Sequence, residues 1–391
     1  MRDAVIVSTA RTPIGKAYRG AFNNLEAPSL AAPAVKAALA RAGLTGAEVE
    51  EVIFGSALTQ GTAGVNVARH IAQGAGLPDS IAGATIDRQC ASGLNALSIA
   101  SHMVACEGVD VALAGGLESI SLVQNTTWNG DRYRDPSVPG AYYMPMLDTA
   151  EVVAERYGVS RAAQDAYALQ SQERTARAQA EGLFDAEIVP VDAVKLVTDK
   201  VTQETHEAPV TLTRDECNRV GTTLDGLSSL PAVRGEGKTV TAGNASQLSD
   251  GAAALVVMSA DEAKRRELAP LGALRGFAVA GVAPDEMGIG PVVAIPRLLD
   301  RAGLSIADID LWEINEAFAA QLLYCRDALA IPNDRLNVNG GAISIGHPYG
   351  MSGARMAGHI LLEGQRRDAK WGVVSMCIGG GQGAAGLFEI F

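Results

Sequence analysis

The chain has no apolar run approaching the roughly 20 residues that a membrane helix requires, so no span is expected along its 391 residues. It has no basic run either, and a formal net charge of −12 argues against nucleic acid as the main partner. Cysteine is sparse. Five residues, without a Cys-x-x-Cys pair and odd in number, are too few and too scattered for a disulfide framework, and a reducing, cytoplasmic setting fits best. The five histidines, His70, His102, His206, His347 and His359, share no metal-ligand spacing with one another or with the cysteines, so no metal is expected. The opening residues Met1 to Val7 read as the start of a short strand, without the apolar core of a secretion signal.

What is present is largely apolar. With 48% hydrophobic and 19% charged residues, the chain can bury a large core and is expected to hold more than one domain-sized unit. Three reactive groups stand in small, glycine-bearing surroundings: Cys90 in Asp87-Arg88-Gln89-Cys90-Ala91-Ser92-Gly93, His347 in Gly346-His347-Pro348, and Cys377 in Met376-Cys377-Ile378-Gly379-Gly380-Gly381. Two thiols and an imidazole suit covalent acyl chemistry. A thiolate splits one hard transfer into two easier ones, and an imidazole can take and return its proton. Glycines around such groups let backbone N–H donors approach a developing oxyanion.

Cysteine is also among the most buried residue types and often acts only as a small hydrophobe, a description that fits Cys106, Cys217 and Cys325. Cys90 differs by its neighbours. The run Ser92 to Ala105 is small and apolar on nearly all sides, the pattern of a buried helix whose first turn begins at or beside Cys90. A helix N-terminus favours an anion, which predicts a stabilised thiolate there.

An internal repeat runs through the chain. The segment Ala40 to Glu50, containing Arg41-Ala42-Gly43-Leu44, matches Asp300 to Asp310, containing Arg301-Ala302-Gly303-Leu304, at an offset of 260 residues. The same offset carries Ser92-Gly93, just after Cys90, onto Ser352-Gly353, just after His347. Each copy reads as helix, glycine cap, strand, and a reactive turn leading into a small-residue helix. Between the copies, from about Ile120 to Thr241, the sequence is more polar, with a loop expected over 125–136 and an amphipathic helix over Ser160 to Ala180 capped by Ser160. A lid or binding region is expected from this insertion.

These segments, with Gly115-Gly116-Leu117-Glu118-Ser119, Thr241-Ala242-Gly243-Asn244-Ala245-Ser246, Asn315-Glu316-Ala317-Phe318-Ala319 and Asn339-Gly340-Gly341-Ala342, resemble the thiolase family from Val5 to Phe391. The resemblance implies an α/β fold of duplicated βαβαβαββ halves in a five-layered αβαβα arrangement. Residues 1–119 with 242–268 would form the N-terminal half, 120–241 an inserted loop domain serving as lid and CoA-binding region, and 269–391 the C-terminal half. It also implies reversible CoA-dependent cleavage of 3-ketoacyl-CoA to acetyl-CoA and a shortened acyl-CoA, or the reverse Claisen condensation, as in fatty-acid metabolism and β-oxidation. CoA and acyl-CoA would be substrates, with no permanently bound cofactor, and the assembly a homodimer or dimer of dimers.

The roles follow the matched positions. Cys90 resembles the nucleophile that takes up the acyl group, His347 the base that activates it, and Cys377 the acid/base at the α-carbon of acetyl-CoA. Asn315 resembles the residue that holds a water in the thioester oxyanion hole beside His347. The N–H groups of Cys90 and Gly379 resemble the second oxyanion hole, Ser246 a contact to the pantetheine arm, and Arg219 a contact to the adenine-phosphate end of CoA.

The residues alone leave other readings open. His347 could be a satisfied core histidine, and Asn315 could cap a helix over 316–323. A decarboxylating 3-ketoacyl synthase would share the fold but lack a second catalytic cysteine, and a non-catalytic acyl-CoA carrier would have lost a reactive position. Tyr143-Met144-Pro145-Met146-Leu147-Asp148-Thr149-Ala150-Glu151 lacks the histidine and glycine that often precede Thr-Ala-Glu in members specialised for acetoacetyl-CoA, and Met287-Gly288-Ile289-Gly290-Pro291 resembles broader members. Activity on longer 3-ketoacyl-CoA is therefore expected, acetoacetyl-CoA included. A narrow acetyl-CoA C-acetyltransferase would result if Met144 or Met146 plugs the pocket.

Overall fold

The structure is a computed structural model that describes residues 2–124, 141 and 144–391; the loop expected over 125–136 lies outside them. Its elements alternate along the chain: β1 (Ala4–Arg11), α1 (Ala27–Arg41), β2 (Glu51–Gly55), α2 (Val67–Gly74), β3 (Ala82–Ile86), α3 (Ser92–His102) and β4 (Val111–Ser119). Next come α4 (Met146–Arg156), α5 (Arg161–Ala180) and the hairpin strands β5 (Val191–Thr198) and β6 (Thr205–Leu212). The chain returns to the sheet with β7 (Ser249–Ser259) and continues through β8 (Gly272–Gly281), α6 (Gly290–Ala302), β9 (Leu311–Ile314), α7 (Ala319–Ala328), α8 (Tyr349–Arg366), β10 (Trp371–Ile378) and β11 (Gln382–Ile390).

The repeat seen in sequence is a repeat of topology. Strands β3-β2-β4-β7-β1 lie side by side in that order, and β9-β10-β11-β8 repeat the last four places. In each set the first-named pairs are parallel and the later ones antiparallel. The missing fifth place is marked by one parallel bridge from Trp312 to Leu336. The offset of 260 residues also separates Glu51 from Leu311 and Val111 from Trp371, the first residues of matching strands. The two sets touch edge to edge through a single pairing, Ile6 with Gly272.

Five layers result. Helices α1 and α2 cover one set of strands from outside, α6 covers the other, and α3 and α8 pack together between the two. Central strands β4, β7 and β10 are buried along nearly their whole length, which is why they read as continuous apolar runs instead of alternating ones. The inner helices must approach closely, and small residues allow it. A Cβ on Gly116 would lie 2.0 Å from the Gly350 carbonyl oxygen, and one on Gly93 2.5 Å from the same atom. The starts of α3 and α8 therefore meet at a glycine contact beneath the residues that precede them, Cys90 and His347.

Two expectations change. The buried helix ends at His102, and the next residues form a π-helical turn, Met103–Glu107, that leaves Cys106 exposed instead of buried. The expected amphipathic helix is present as Arg161–Ala180, with Ser160 Oγ accepting from the Ala163 N–H. Among the described residues no helix is long and apolar enough to cross a membrane.

Candidate active site

Cys90 sits in a single 3-10 turn, Gln89–Ala91, that feeds directly into α3. Gln89 is held at a left-handed φ of 45°, a conformation that costs energy for a residue with a side chain and that turns the chain sharply at the thiol. Its Oε1 occupies the space beside Gly379, where a Cβ would fall 2.2 Å away. A side chain at Gly379 would have to push aside the flexible end of Gln89, and the Gly379 N–H reaches the Cys90 thiol.

Cys377 arrives from the other half, buried near the end of β10 and paired across to Gly383 of β11. It packs in an apolar cluster with Ala150, Met287, Ala317 and Phe318, with Leu147 against it. Burial pushes its thiol well above the usual range, and the nearby Cys90 and Cys325 sulfurs push the same way. Burial likewise drives Cys90 up to about 12, with the Glu118 carboxylate adding to it and the Gly379 N–H opposing. The helix start thus does not produce a resting thiolate. Desolvation outweighs the dipole of the helix start.

His347 stands just before α8. Its ring is buried, which drops its pKa to about 3, Arg355 adding in the same direction, so the imidazole is neutral near pH 7. Nδ1 stands 2.7 Å from Ser352 Oγ, whose hydroxyl lies 2.9 Å from the Pro348 carbonyl oxygen. Nε2 stands 3.2 Å from Asn315 Nδ2. If Ser352 donates to Pro348, Nδ1–H must donate to Ser352, and Nε2 keeps its lone pair toward the Asn315 amide. The helix-cap alternative falls away, because Asn315 follows β9 while the next helix, α7, starts only at Ala319 after Phe318. His347, buried with polar partners on both ring nitrogens, fits a satisfied core histidine as well as a base.

Four groups that sequence reasoning passed over support this arrangement. Ser352 fixes the ring, and Tyr349 packs edge-on against it with centroids 5.1 Å apart. Glu118, buried at the end of β4, accepts from the N–H groups of Ala57, Leu58 and Gly350 and from Ser56 Oγ, and so pins the first turn of α8. Burial raises its pKa to about 7 against those donors. Glu316 accepts from Tyr167, Ser171, Asn337 and the Ile343 N–H, fixing the residue next to Asn315. A charged residue inside an apolar strand, as Glu118 is, was the available signal.

Cys90 lies beside Gly379, Cys377 and Tyr349, Tyr349 packs on His347, and His347 meets Asn315, so the five predicted residues are neighbours. Ser246 is next in the chain to a residue of a nearby cleft, and Arg219 lines that cleft. The Ser246 N–H donates to the Ala317 carbonyl at 3.0 Å, and the adjacent Gln247 carbonyl accepts from the His347 N–H at 3.0 Å. Gln247 in turn lines a cleft of about 230 Å³ with Arg219, Thr222, Leu227, Leu230, Gly243 and others. No group of three or more metal-ligating side chains is found among the described residues.

Residues 4–261 match the thiolase N-terminal domain and residues 268–390 the thiolase C-terminal domain. The chain belongs to the thiolase family. It is 46% identical to the 3-ketoacyl-CoA thiolase of Bacillus subtilis over 100% of both chains. It is 44% identical to the acetyl-CoA acetyltransferase of Cupriavidus necator over 98% of each. The crystal structure of human mitochondrial 3-ketoacyl-CoA thiolase superimposes with a TM-score of 0.89 at 37% identity, covering 100% of this chain and 99% of that one. As a thiolase the chain is an acyltransferase, acting on CoA thioesters by thiolytic cleavage or condensation.

Proposed function

We propose that this thiolase works through an acyl-Cys90 intermediate, with His347, Cys377, Asn315 and Gly379 as its partners and Ser246 and Arg219 along the CoA arm. The convergence of two thiols, a neutral imidazole and a glycine N–H in one buried place carries the reading. In cleavage, His347 Nε2 takes the Cys90 proton, and Sγ attacks the 3-keto carbon. The bond between C2 and C3 breaks, and Cys377 gives its proton to C2 of the departing acetyl-CoA. Cys377, left as a thiolate, takes the proton of free CoA, whose sulfur attacks the Cys90 thioester; the shortened acyl-CoA leaves, and His347 returns its proton to the Cys90 sulfur. The N–H groups of Cys90 and Gly379 stabilise one oxyanion, and His347 with an Asn315-held water the other. The test is mass spectrometry after incubation with acetyl-CoA: an acetyl group is expected on the Cys90 peptide, and an adduct only on Cys377 overturns the assignment.

The substrate is read as 3-ketoacyl-CoA longer than four carbons, with acetoacetyl-CoA included, in β-oxidation. An apolar cluster beside Cys377, formed with Leu147 and Ala150 in place of an imidazole, supports it. A narrow acetyltransferase is favoured by one observation: the Met146 sulfur lies 3.5 Å from where a Cβ on Gly379 would be, close enough to limit the pocket.

The division into 1–119 with 242–268, 120–241 and 269–391 is part of the same reading, with the middle portion supplying cleft residues such as Arg219. A homodimer, alone or as half of a dimer of dimers, is supported by β3, an edge strand in which Ala82 is exposed, Gly83 to Ile86 are only partly buried, and the outer edge has no strand beside it among the described residues. Five free thiols suit a reducing, cytoplasmic compartment.

A further inference from the structure

Arg219 is an unusual residue to rely on for binding, because it lies on an exposed turn and its guanidinium makes no hydrogen bond or ion pair among the described residues. Its backbone, by contrast, is pinned on both sides. The Arg219 N–H donates to Gln172 Oε1 at 2.9 Å, and the Arg219 carbonyl accepts from the Thr222 hydroxyl at 2.7 Å. Gln172 is buried on α5, and the same Oε1 also accepts from Asn218 Nδ2 at 3.0 Å. Asn218 Nδ2 donates once more to the Gln172 carbonyl at 3.0 Å, so two residues are joined by two bonds. Asn218 Oδ1, buried, has no hydrogen-bond partner among the described residues.

The far side of Gln172 leads inward. Its Nε2 lies 3.4 Å from the Ile343 carbonyl, which also accepts from Gln247 Nε2 at 3.2 Å. The Gln247 carbonyl holds the His347 N–H, and the Ile343 N–H is held by Glu316. A polar path therefore runs from the exposed Arg219 turn to the backbone on either side of the catalytic groups.

We propose that Gln172 and Asn218 are positioning residues that clamp the Arg219 backbone for the nucleotide end of CoA. The inference rests on the reading of the 230 Å³ cleft as the CoA approach. A long, flexible arginine loses less freedom on meeting a phosphate when its backbone is already fixed, so the clamp acts on affinity for the nucleotide. It does not act on the reacting carbons. A shortened thiol without a nucleotide has nothing to gain from it.

The experiment measures thiolysis of acetoacetyl-CoA with CoA varied, beside thiolysis of acetoacetyl-pantetheine with pantetheine varied. The proteins are full-length Gln172→Ala, Asn218→Ala, the double variant and Arg219→Ala. The two single clamp variants are expected to raise KM for CoA about five- to tenfold with kcat and the pantetheine KM within about twofold, the double variant being no worse than the larger single. A raised CoA KM in Arg219→Ala with none in the clamp variants overturns the clamp alone. An unchanged CoA KM in Arg219→Ala overturns the cleft reading and the clamp with it. Equal losses with CoA and with pantetheine overturn the clamp as well. Asn218 is only half-buried, so Asn218→Ala decides the matter if Gln172→Ala does not fold.

Discussion

The amide of Asn315 and the imidazole of His347 meet at 3.2 Å, Nδ2 to Nε2, although the two residues reach the site from separate turns, one after β9 and one before α8. An amide donor at Nε2 leaves that nitrogen unprotonated, while Ser352 occupies Nδ1. Removing the amide therefore leaves the ring in place but strips one polar group from the site. Asn315→Ala is expected to fold and to lose kcat on the order of 10²-fold, the usual cost of an oxyanion-site donor. Wild-type turnover in that variant would sink the role.

Cys377 and Cys90 should separate in function. Cys377→Ala is expected to take up the acetyl group on Cys90 but to stop exchanging the methyl protons of acetyl-CoA with solvent. Proton NMR of acetyl-CoA in D₂O reads this directly, and continued exchange removes Cys377 from the α-carbon.

The neutral state of His347 has a consequence for acid stability. Its folded pKa of about 3 lies below the ordinary 6.5, so the unfolded chain binds the proton first and stability is lost as pH falls from 6.5 toward 3. Between pH 6.5 and 5 this amounts to about 1.5 kcal/mol. His347→Gln, neutral throughout, should lose less stability over that interval. Urea midpoints at the two pH values measure it, and equal losses in both proteins contradict the buried, neutral ring.

Gly116 tests the contact between the halves. A Cβ there would lie 2.0 Å from the Gly350 carbonyl oxygen, which is backbone and cannot swing away. Gly116→Ala should destabilise by about 1–3 kcal/mol and lower kcat, because the start of α8 carries the turn that holds His347. Unchanged Tm and kcat would mean the two helix starts are not tightly coupled.

Chain length separates the two substrate readings. Comparable kcat/KM for four-, six- and eight-carbon 3-ketoacyl-CoA is expected from the apolar cluster at Cys377. A drop of about a hundredfold from four to six carbons, roughly 2.7 kcal/mol in transition-state binding, means that Met146 or its neighbours close the pocket.

The repeat was legible because each copy must satisfy the same local demands: a glycine after the helix, an apolar strand, and a small-residue helix buried between two sheets. Those demands act over a few residues, and Gly303 shows one of them in its left-handed φ of 67°. The candidates Cys90, His347 and Cys377 stood out for a similar reason, since each has small neighbours that allow close backbone approach. The protonation state of Cys90 was not. The helix start is a local feature, but desolvation and the Glu118 charge come from residues packed around the thiol in space.

Sequence by itself therefore determined the family and the duplicated order of elements, because these are written in local patterns and spacings. Tertiary structure alone decided which atoms meet. Glu118 beneath α8 and Gln172 at Arg219 join residues whose partners are set by how helices and strands pack, and no spacing along the chain encodes that. The balance of burial against hydrogen bonding that keeps both thiols and the imidazole neutral likewise exists only once the two halves close over them.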